Sequence, residues 1–203
     1  MLMLDDFTKG PHNITLQPGQ SDTSSQLLAP PPPLGRSRQT IFTNPPNQSG
    51  QFNNEWNQPC TLDIGIQSGK GIFIVNSGFG VAFHGQVSYG TMQTGPVGTP
   101  PTGPPLGLNL GKFSAFRINF AGIAASVGLV ATVVVVSRST PSLVHDCEKG
   151  PLPPSQSPFS VDYPWTDFNN QPLDPSDIDG IQILLAGGGL TITYGITSFE
   201  AVP

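Results

Sequence analysis

The sequence predicts an all-β protein, a sandwich of two sheets, and three observations carry that expectation. The most apolar stretch, Phe116 to Ser137, has the patterning of strands and not of a helix. The 203 residues include 24 glycines and 23 prolines, both poor in helix interiors. Short alternating segments recur along the chain between long Pro/Gly-rich loops, the spacing of a sandwich.

The apolar stretch is read first. Phe116, Ile118 and Phe120 share one parity, Arg117 and Asn119 the other, as in a half-buried strand. The small residues of Ala121 to Gly128 suit a turn or a bent connection. Leu129 to Val136 is a continuous apolar run with four successive valines, whose β-branched side chains are stiff and fit a pleated surface. Apolar residues of both parities imply cover on both faces, so this strand is placed at the centre of the stack. Phe120 to Val136 also carries no charge, but it reaches only the lower limit of roughly 17 residues for a spanning helix, and its glycines and valine-rich end favour buried strands over a membrane span.

Around it, Leu2–Phe7 and His12–Leu16 read as strands closed by Lys9-Gly10-Pro11 and Gln17-Pro18-Gly19. Residues 20–37 are polar and then proline-rich, with Pro30–Pro33 extended as polyproline II. Arg38–Phe42 is a short strand, followed by an Asn/Gln/Pro loop that holds Trp56. Cys60–Ile66 alternates and pairs with Ile72–Val75 across Gly69-Lys70-Gly71 as a hairpin. Val81, Phe83, Val87 and Tyr89 then fall on one face. Residues 91–105 and 138–157 read as loops, the second carrying His145, Asp146, Cys147 and Glu148. Phe159–Val161 is a short strand. Asp174 to Asp179 reads as a helical turn with proline at its first position. Ile181–Leu185 and Leu190–Ala201 close the chain. The total is ten to twelve strands in a single domain, residues 1–203.

Charge narrows the function. The net charge is −5 with no basic cluster beyond Arg36 and Arg38, which excludes a nucleic-acid partner. Cys60 and Cys147 form either one long-range disulfide or two separate small core residues. Met1 to Asp6 has four apolar residues before two acids, too few for the apolar core of a secretory signal.

Several pieces, in order, resemble the galactose-binding-like jelly-roll domains of carbohydrate-binding modules and bacterial surface proteins. They are Asp5-Asp6-Phe7, Leu108-Asn109-Leu110 before Phe116-Arg117-Ile118, Phe159 to Pro164 with Asp167-Phe168, Ile178 to Ile183, and Ile196 to Phe199. The resemblance covers the last hundred residues or so and the first strand. It implies a jelly-roll-like sandwich without catalytic chemistry. It departs from those domains in the final strand, where Gly195-Ile196-Thr197-Ser198 stands in place of their Asp-Asn-Ile.

The chemistry-bearing residues are sparse. The carboxylates fall mostly in turns, where aspartate is an ordinary turn former, and no pair stands out for acid–base work. Three histidines occur without a Gly-x-Ser-x-Gly elbow. Hard oxygen ligands for a structural calcium would come from Asp5 and Asp6 meeting Asp174, Asp177 and Asp179 if the first and last strands are neighbours; no other cofactor is expected. Sugar stacking would use Trp56, Trp165, Tyr89 and Tyr163, with Trp165 alternatively covering one end of the sandwich. The leading expectation is a structural, non-enzymatic subunit that self-associates through strand edges or termini into an extracellular filament, surface layer or shell. The alternative is a carbohydrate-binding module that recognises a polysaccharide through loop aromatics, and a weaker third reading is a glycan-acting enzyme.

Overall fold

In the computed structural model the described residues are 1–27, 37–46, 54, 58–92, 103–125, 128–139, 144–170, 173–187 and 191–203. Trp56 and Pro30–Pro33 lie outside them. Among the described residues thirteen strands form two antiparallel sheets. They are β1 (Leu2–Asp5), β2 (His12–Leu16), β3 (Ser21–Leu27), β4 (Ser37–Thr43), β5 (Cys60–Gln67), β6 (Lys70–Ser77), β7 (Phe83–Gly90), β8 (Ala115–Ala125), β9 (Leu129–Ser137), β10 (Val144–Leu152), β11 (Phe159–Pro164), β12 (Ile178–Gly187) and β13 (Ile192–Val202). The seven-stranded sheet runs β11-β8-β13-β6-β5-β2 with β1 also paired to β13, and the six-stranded sheet runs β10-β9-β12-β7-β4-β3.

Alternation explains how the sheets face each other. Phe73 on β6, Phe116, Ile118 and Phe120 on β8, and Tyr194 and Phe199 on β13 are buried from one sheet. Phe42, Phe83, Val87, Tyr89, Val133, Val135 and Ile183 are buried from the other. Aromatic rings join the layers: Phe83 stacks on Tyr194 at 5.7 Å and Tyr89 on Phe199 at 6.3 Å. Each such ring contributes about 1.5–3 kcal/mol by leaving water.

The expected sandwich is therefore present, with differences that have physical causes. The two strands of the apolar stretch do not lie in one sheet. β8 belongs to the seven-stranded sheet and β9 to the six-stranded sheet, so the chain crosses between layers there. Ala121–Ala125 continues β8 past an irregularity and is not a turn. The valine strand β9 is interior, between β10 and β12, but next to the edge and not central. Two strands stand where loops were expected. β3 is an all-polar edge strand paired to β4, and β10 is an edge strand paired to β9 despite Pro151. Edges tolerate such residues because one row of backbone groups faces away from the ladder. The Asp174 segment is not a helical turn: its carboxylate accepts from the Ser176 amide at 2.9 Å and hydroxyl at 2.6 Å, an Asx turn. Cys60 and Cys147 are both free and buried. No helix among the described residues is long and apolar enough to cross a membrane.

The terminal strands pair with each other within the chain. β13 sits between β8 and β6, and β1 pairs with its C-terminal half through Leu2–Ala201, Met3–Glu200 and Asp5–Phe199. Of the two terminal strands expected to offer an edge to a neighbouring subunit, β13 is paired on both sides, whereas β1 is paired to β13 on one side.

Candidate functional site

The outward parity of β8, β11 and β13 gathers polar side chains that lie far apart in sequence. Register places Asp162, Arg117 and Glu200 in one rank across these strands, and Ser160, Asn119 and Ser198 in the next. Arg117 grips Asp162 with two bonds, Nε to Oδ1 at 2.6 Å and Nη2 to Oδ2 at 2.8 Å. That guanidinium holds the Asp162 carboxyl below the usual carboxylate range. Asn119 donates to Ser198 Oγ at 2.7 Å and to Glu200 Oε1 at 2.9 Å, and accepts from Ser160 Oγ. Ser198 donates to the same Glu200 oxygen at 2.8 Å. Glu200 is only 6% exposed although it points away from the core. The rank is thus a pre-positioned set of donors and acceptors on a rigid sheet.

Beside it the sheet bends. The β8–β13 register shifts between Gly195 and Ile196, and again between Ile196 and Ser198, leaving Ala121 and Thr197 as extra residues on opposite strands. Thr197 Oγ1 donates to the Asn119 carbonyl at 3.2 Å across this double bulge. Bulges sharpen local twist and re-aim side chains. Two depressions follow along β13. The first, about 370 Å³, is lined by Ile72, Ile74, Gly122, Ala124, Gln156 and Gly195 among others. Its floor depends on glycine: a Cβ on Gly195 would stand 3.0 Å from Ile72 Cδ1 and 3.4 Å from Ala121 Cβ. The second, about 320 Å³, is lined by Met3, Asp6, Lys70, Gly71, Thr197 and Ser198 among others. It opens because two strands share one side of β13. The ladder to β6 ends at Ile196–Phe73 and the ladder to β1 begins at Phe199–Asp5. The depressions run head to tail with the polar rank alongside.

Of the site residues expected from sequence, Trp56 lies outside the described residues, and the others fall elsewhere. Tyr89 and Tyr163 are wholly buried and offer no ring to a ligand: Tyr89 donates to Asp5 Oδ2 at 2.8 Å and Tyr163 to the Ala131 carbonyl at 3.2 Å. The parity of Tyr89 with Phe83 and Val87 had pointed inward, and each hydroxyl finds an internal acceptor. Trp165, on a single 3-10 turn (Trp165–Asp167), packs edge-on against Phe116 at 4.6 Å and donates to the Phe113 carbonyl at 2.6 Å. It is part of the packing at one end of the sandwich.

The five aspartates expected around calcium are not brought together. Asp5 is 1% exposed and bonded to Arg38 and Tyr89, while Asp6 accepts from Thr8. Asp179 pairs with Arg138 at 2.7 Å, Asp177 lies 3.8 Å from the same arginine, and Asp174 closes its own turn. Cations and turn amides already occupy these oxygens. Among the described residues no group of three His, Cys, Asp or Glu is placed to hold a metal ion.

The residues that do converge, Arg117, Asn119, Ser160, Asp162, Ser198 and Glu200, carried one sequence signal: each is a polar residue at the outward parity of an otherwise apolar strand.

No family model matches this sequence, and no curated protein matches it. Similarity appears among solved structures. One is the family 11 carbohydrate-binding module of the cellulosomal cellulase Lic26A-Cel5E of Clostridium thermocellum, with 10% identity, 98% of this chain and 92% of that one covered, and a TM-score of 0.46. The family 11 module from Clostridium thermocellum in complex with a beta-1,3-1,4-mixed-linked tetrasaccharide shares 13% identity over 99% of this chain and 94% of that one, at a TM-score of 0.43. A non-crystalline-cellulose-specific module, CBM28, shares 8% identity over 70% of this chain and 80% of that one, at a TM-score of 0.42.

Proposed function

We propose that this chain is a non-catalytic binding module for a hydroxyl-rich polysaccharide, held on the outer face of the seven-stranded sheet. One observation carries the reading: two consecutive depressions run along β13 beside a rank of fixed hydrogen-bonding side chains. Polar groups held by a sheet before the ligand arrives lose little freedom on binding, which is the advantage of pre-organisation. The floor of Gly122, Gly195 and Ala121 and the walls of Ile72 and Ile74 offer apolar surface to the C–H faces of sugar rings. Asn119, Ser160, Ser198, Arg117 and Glu200 offer both donors and acceptors for hydroxyls. This recognition uses a sheet face in place of the loop aromatics expected from sequence.

Acid–base catalysis gains no support from the same groups. Asp162 is locked to Arg117 and held ionised, so it is not set up as a proton donor. A polysaccharide-binding role belongs outside the cell or at its surface, where such chains are encountered.

Affinity electrophoresis through gels containing soluble β-glucan, xylan, mannan or galactan, with pull-down on insoluble cellulose and chitin, tests the reading. The expected result is retardation or capture by at least one neutral polysaccharide that Arg117→Ala/Asn119→Ala removes while the fold is retained. Binding to none of them, or a double variant that binds as the parent does, overturns it.

A further inference from the structure

The first strand is a plug seated in a slot made by distant parts of the chain. Leu4 and Phe7 are 0% exposed and Asp5 is 1% exposed. Asp5 Oδ2 accepts from Arg38 Nη1 on β4 and from the Tyr89 hydroxyl on β7, each at 2.8 Å, so β1 reaches across to the opposite sheet. The Arg38 guanidinium lies 5.5 Å from the Phe7 ring centroid, and Phe7 packs on Phe73 at 5.7 Å. In the ladder, β1 covers the side of β13 that β6 leaves uncovered beyond Ile196. Were that side vacated, the backbone groups from Phe199 to Ala201 would form an unpaired edge in the middle of a sheet, and buried Arg38 would lose its carboxylate. The slot cannot stay empty, and what fits it best is the β1 sequence itself.

The link from β1 to β2 is short, and it leaves the buried plug directly after Phe7, whose φ is strained. Phe7 sits at φ 55° and Gly10 at φ 64°, both left-handed, and such a φ is a genuine outlier for a bulky side chain. Pro11 follows at once. The buried contacts of β1 and Phe7, and the bonds that the Lys9 and Gly10 carbonyls accept from Arg38 Nη2 at 2.6 and 2.9 Å, can be made by residues 2–10 of either copy. The closed and exchanged forms then differ chiefly at Gly10-Pro11, where the chain turns back in the first and extends in the second. Short hinges under strain favour exchange of the element they carry.

From this we infer that β1 is an exchangeable strand: β1 of a second copy occupies the slot, giving a reciprocal dimer in which each chain completes the sheet of the other. The partner is a second copy of this chain, and the interface is the β1 slot. The inference meets the polysaccharide-binding proposal at one place: Met3 and Asp6 line the second depression, so a second copy's β1 would supply that wall, while the association test needs no polysaccharide.

A cysteine pair at register partners reads it directly. Leu2 and Ala201 are register partners in an antiparallel ladder, where opposite Cα atoms stand about 4.5–5.5 Å apart, a spacing a disulfide spans, and the native thiols are buried. The full chain carrying Leu2→Cys/Ala201→Cys is refolded at a series of concentrations, oxidised, and run on a non-reducing gel. Exchange gives a covalent dimer whose share rises with concentration; an intrachain bond alone, at every concentration, overturns the inference. A second variant guards against poor folding of the first. Gly10→Ala places a Cβ on a left-handed residue of the closed link and keeps the carbonyl that accepts from Arg38. That substitution disfavours the closed form by an amount expected to raise the dimer association constant about tenfold in analytical ultracentrifugation. A folded Gly10→Ala chain with unchanged association overturns it as well.

Discussion

Two arginine–aspartate pairs in this molecule have the same chemistry and opposite settings. Arg38 and Asp5 meet at 2.8 Å with side chains 0% and 1% exposed, between the two sheets. Arg117 and Asp162 meet at 2.6 Å with side chains 36% and 43% exposed, on the outer face. The buried pair is wired into the backbone: Arg38 also donates to the carbonyls of Lys9 and Gly10, and Asp5 Oδ1 accepts from the Phe7 amide. The outer pair joins only side chains on neighbouring strands. Burial makes the first pair hard to break, because a lone partner would be an uncompensated charge in a low dielectric. Water and salt weaken the second, which leaves it free to orient side chains for a ligand at little cost to the fold. The inner pair holds the architecture and the outer pair arranges a surface.

The largest expected effect breaks the inner pair. Asp5→Ala leaves Arg38 buried without its carboxylate and Tyr89 without an acceptor, and is expected to cost about 3–5 kcal/mol of stability. In a chain of this size that is a fall of roughly 10 °C in melting temperature. Calorimetry or urea unfolding checks it. A loss no greater than that of Asp162→Ala would erase the distinction drawn between the two pairs.

The interior should also set the alkaline limit of the fold. Burial pushes the Cys60 thiol from 9.0 to about 12, and pushes the hydroxyls of Tyr89, Tyr163 and Tyr194 upward. A raised pKa in the folded state contributes stability that is complete below the unfolded value and is lost as pH climbs through the folded one. For Cys60 the window runs from pH 9 to about 12. The three-unit shift at about 1.36 kcal/mol per unit bounds its contribution at roughly 4 kcal/mol. Urea midpoints taken from pH 8 to 11 should fall with pH, less steeply in Cys60→Ala. At neutral pH neither thiol should react with Ellman's reagent until denaturant is added, since each is buried and each pKa is raised.

The sandwich itself was legible because burial writes a period into the sequence. Phe116-Ile118-Phe120 and Cys60-Leu62-Ile64 stand where their parity put them, and the valine run is a strand as read, though one place from the edge. β3 was not legible, since Ser21–Leu27 has no apolar alternation and is held at an edge by its ladder to β4. β10 was hidden by Asp146, Glu148, Lys149 and Pro151, which an edge strand tolerates. The candidate site was hidden for another reason. Asp162, Arg117 and Glu200 are 45 and 83 positions apart, and only strand order and register bring them into one rank. Parity told which residues face outward; it carried no information on which strands are neighbours. Tyr89 shows the converse error, in which residue type suggested a ligand while its parity with Phe83 and Val87 already placed the ring inside.

Breaking the outer pair should separate binding from stability. Arg117→Ala removes the bidentate grip on Asp162 and one donor of the rank. It is expected to cost no more than about 1 kcal/mol of fold stability, the ceiling for an exposed pair. Polysaccharide affinity should fall roughly tenfold or more, the consequence of losing one charge-assisted hydrogen bond of about 1.5–3 kcal/mol. Isothermal titration beside a melting curve reads both. A variant that melts normally and binds normally would detach this face from the proposed role.

The smallest effect lies at the acid end and tests the same contrast by titration. Arg117 holds Asp162 below its ordinary 3.8, and Arg138 does the same for Asp179. A depressed carboxyl contributes stability that is present above the unfolded pKa and lost as pH falls through the folded one, so the window opens at about pH 3.8 and extends downward. Asp162 is 43% exposed, and solvent screening keeps its share to about 0.5 kcal/mol. In unfolding curves between pH 5 and 2.5, Asp162→Asn should therefore shift the acid limb only slightly, and 0.5 M salt should shrink even that difference. A large, salt-insensitive change would mean that the outer pair is shielded as the inner one is, and that the two arginines differ in address but not in kind.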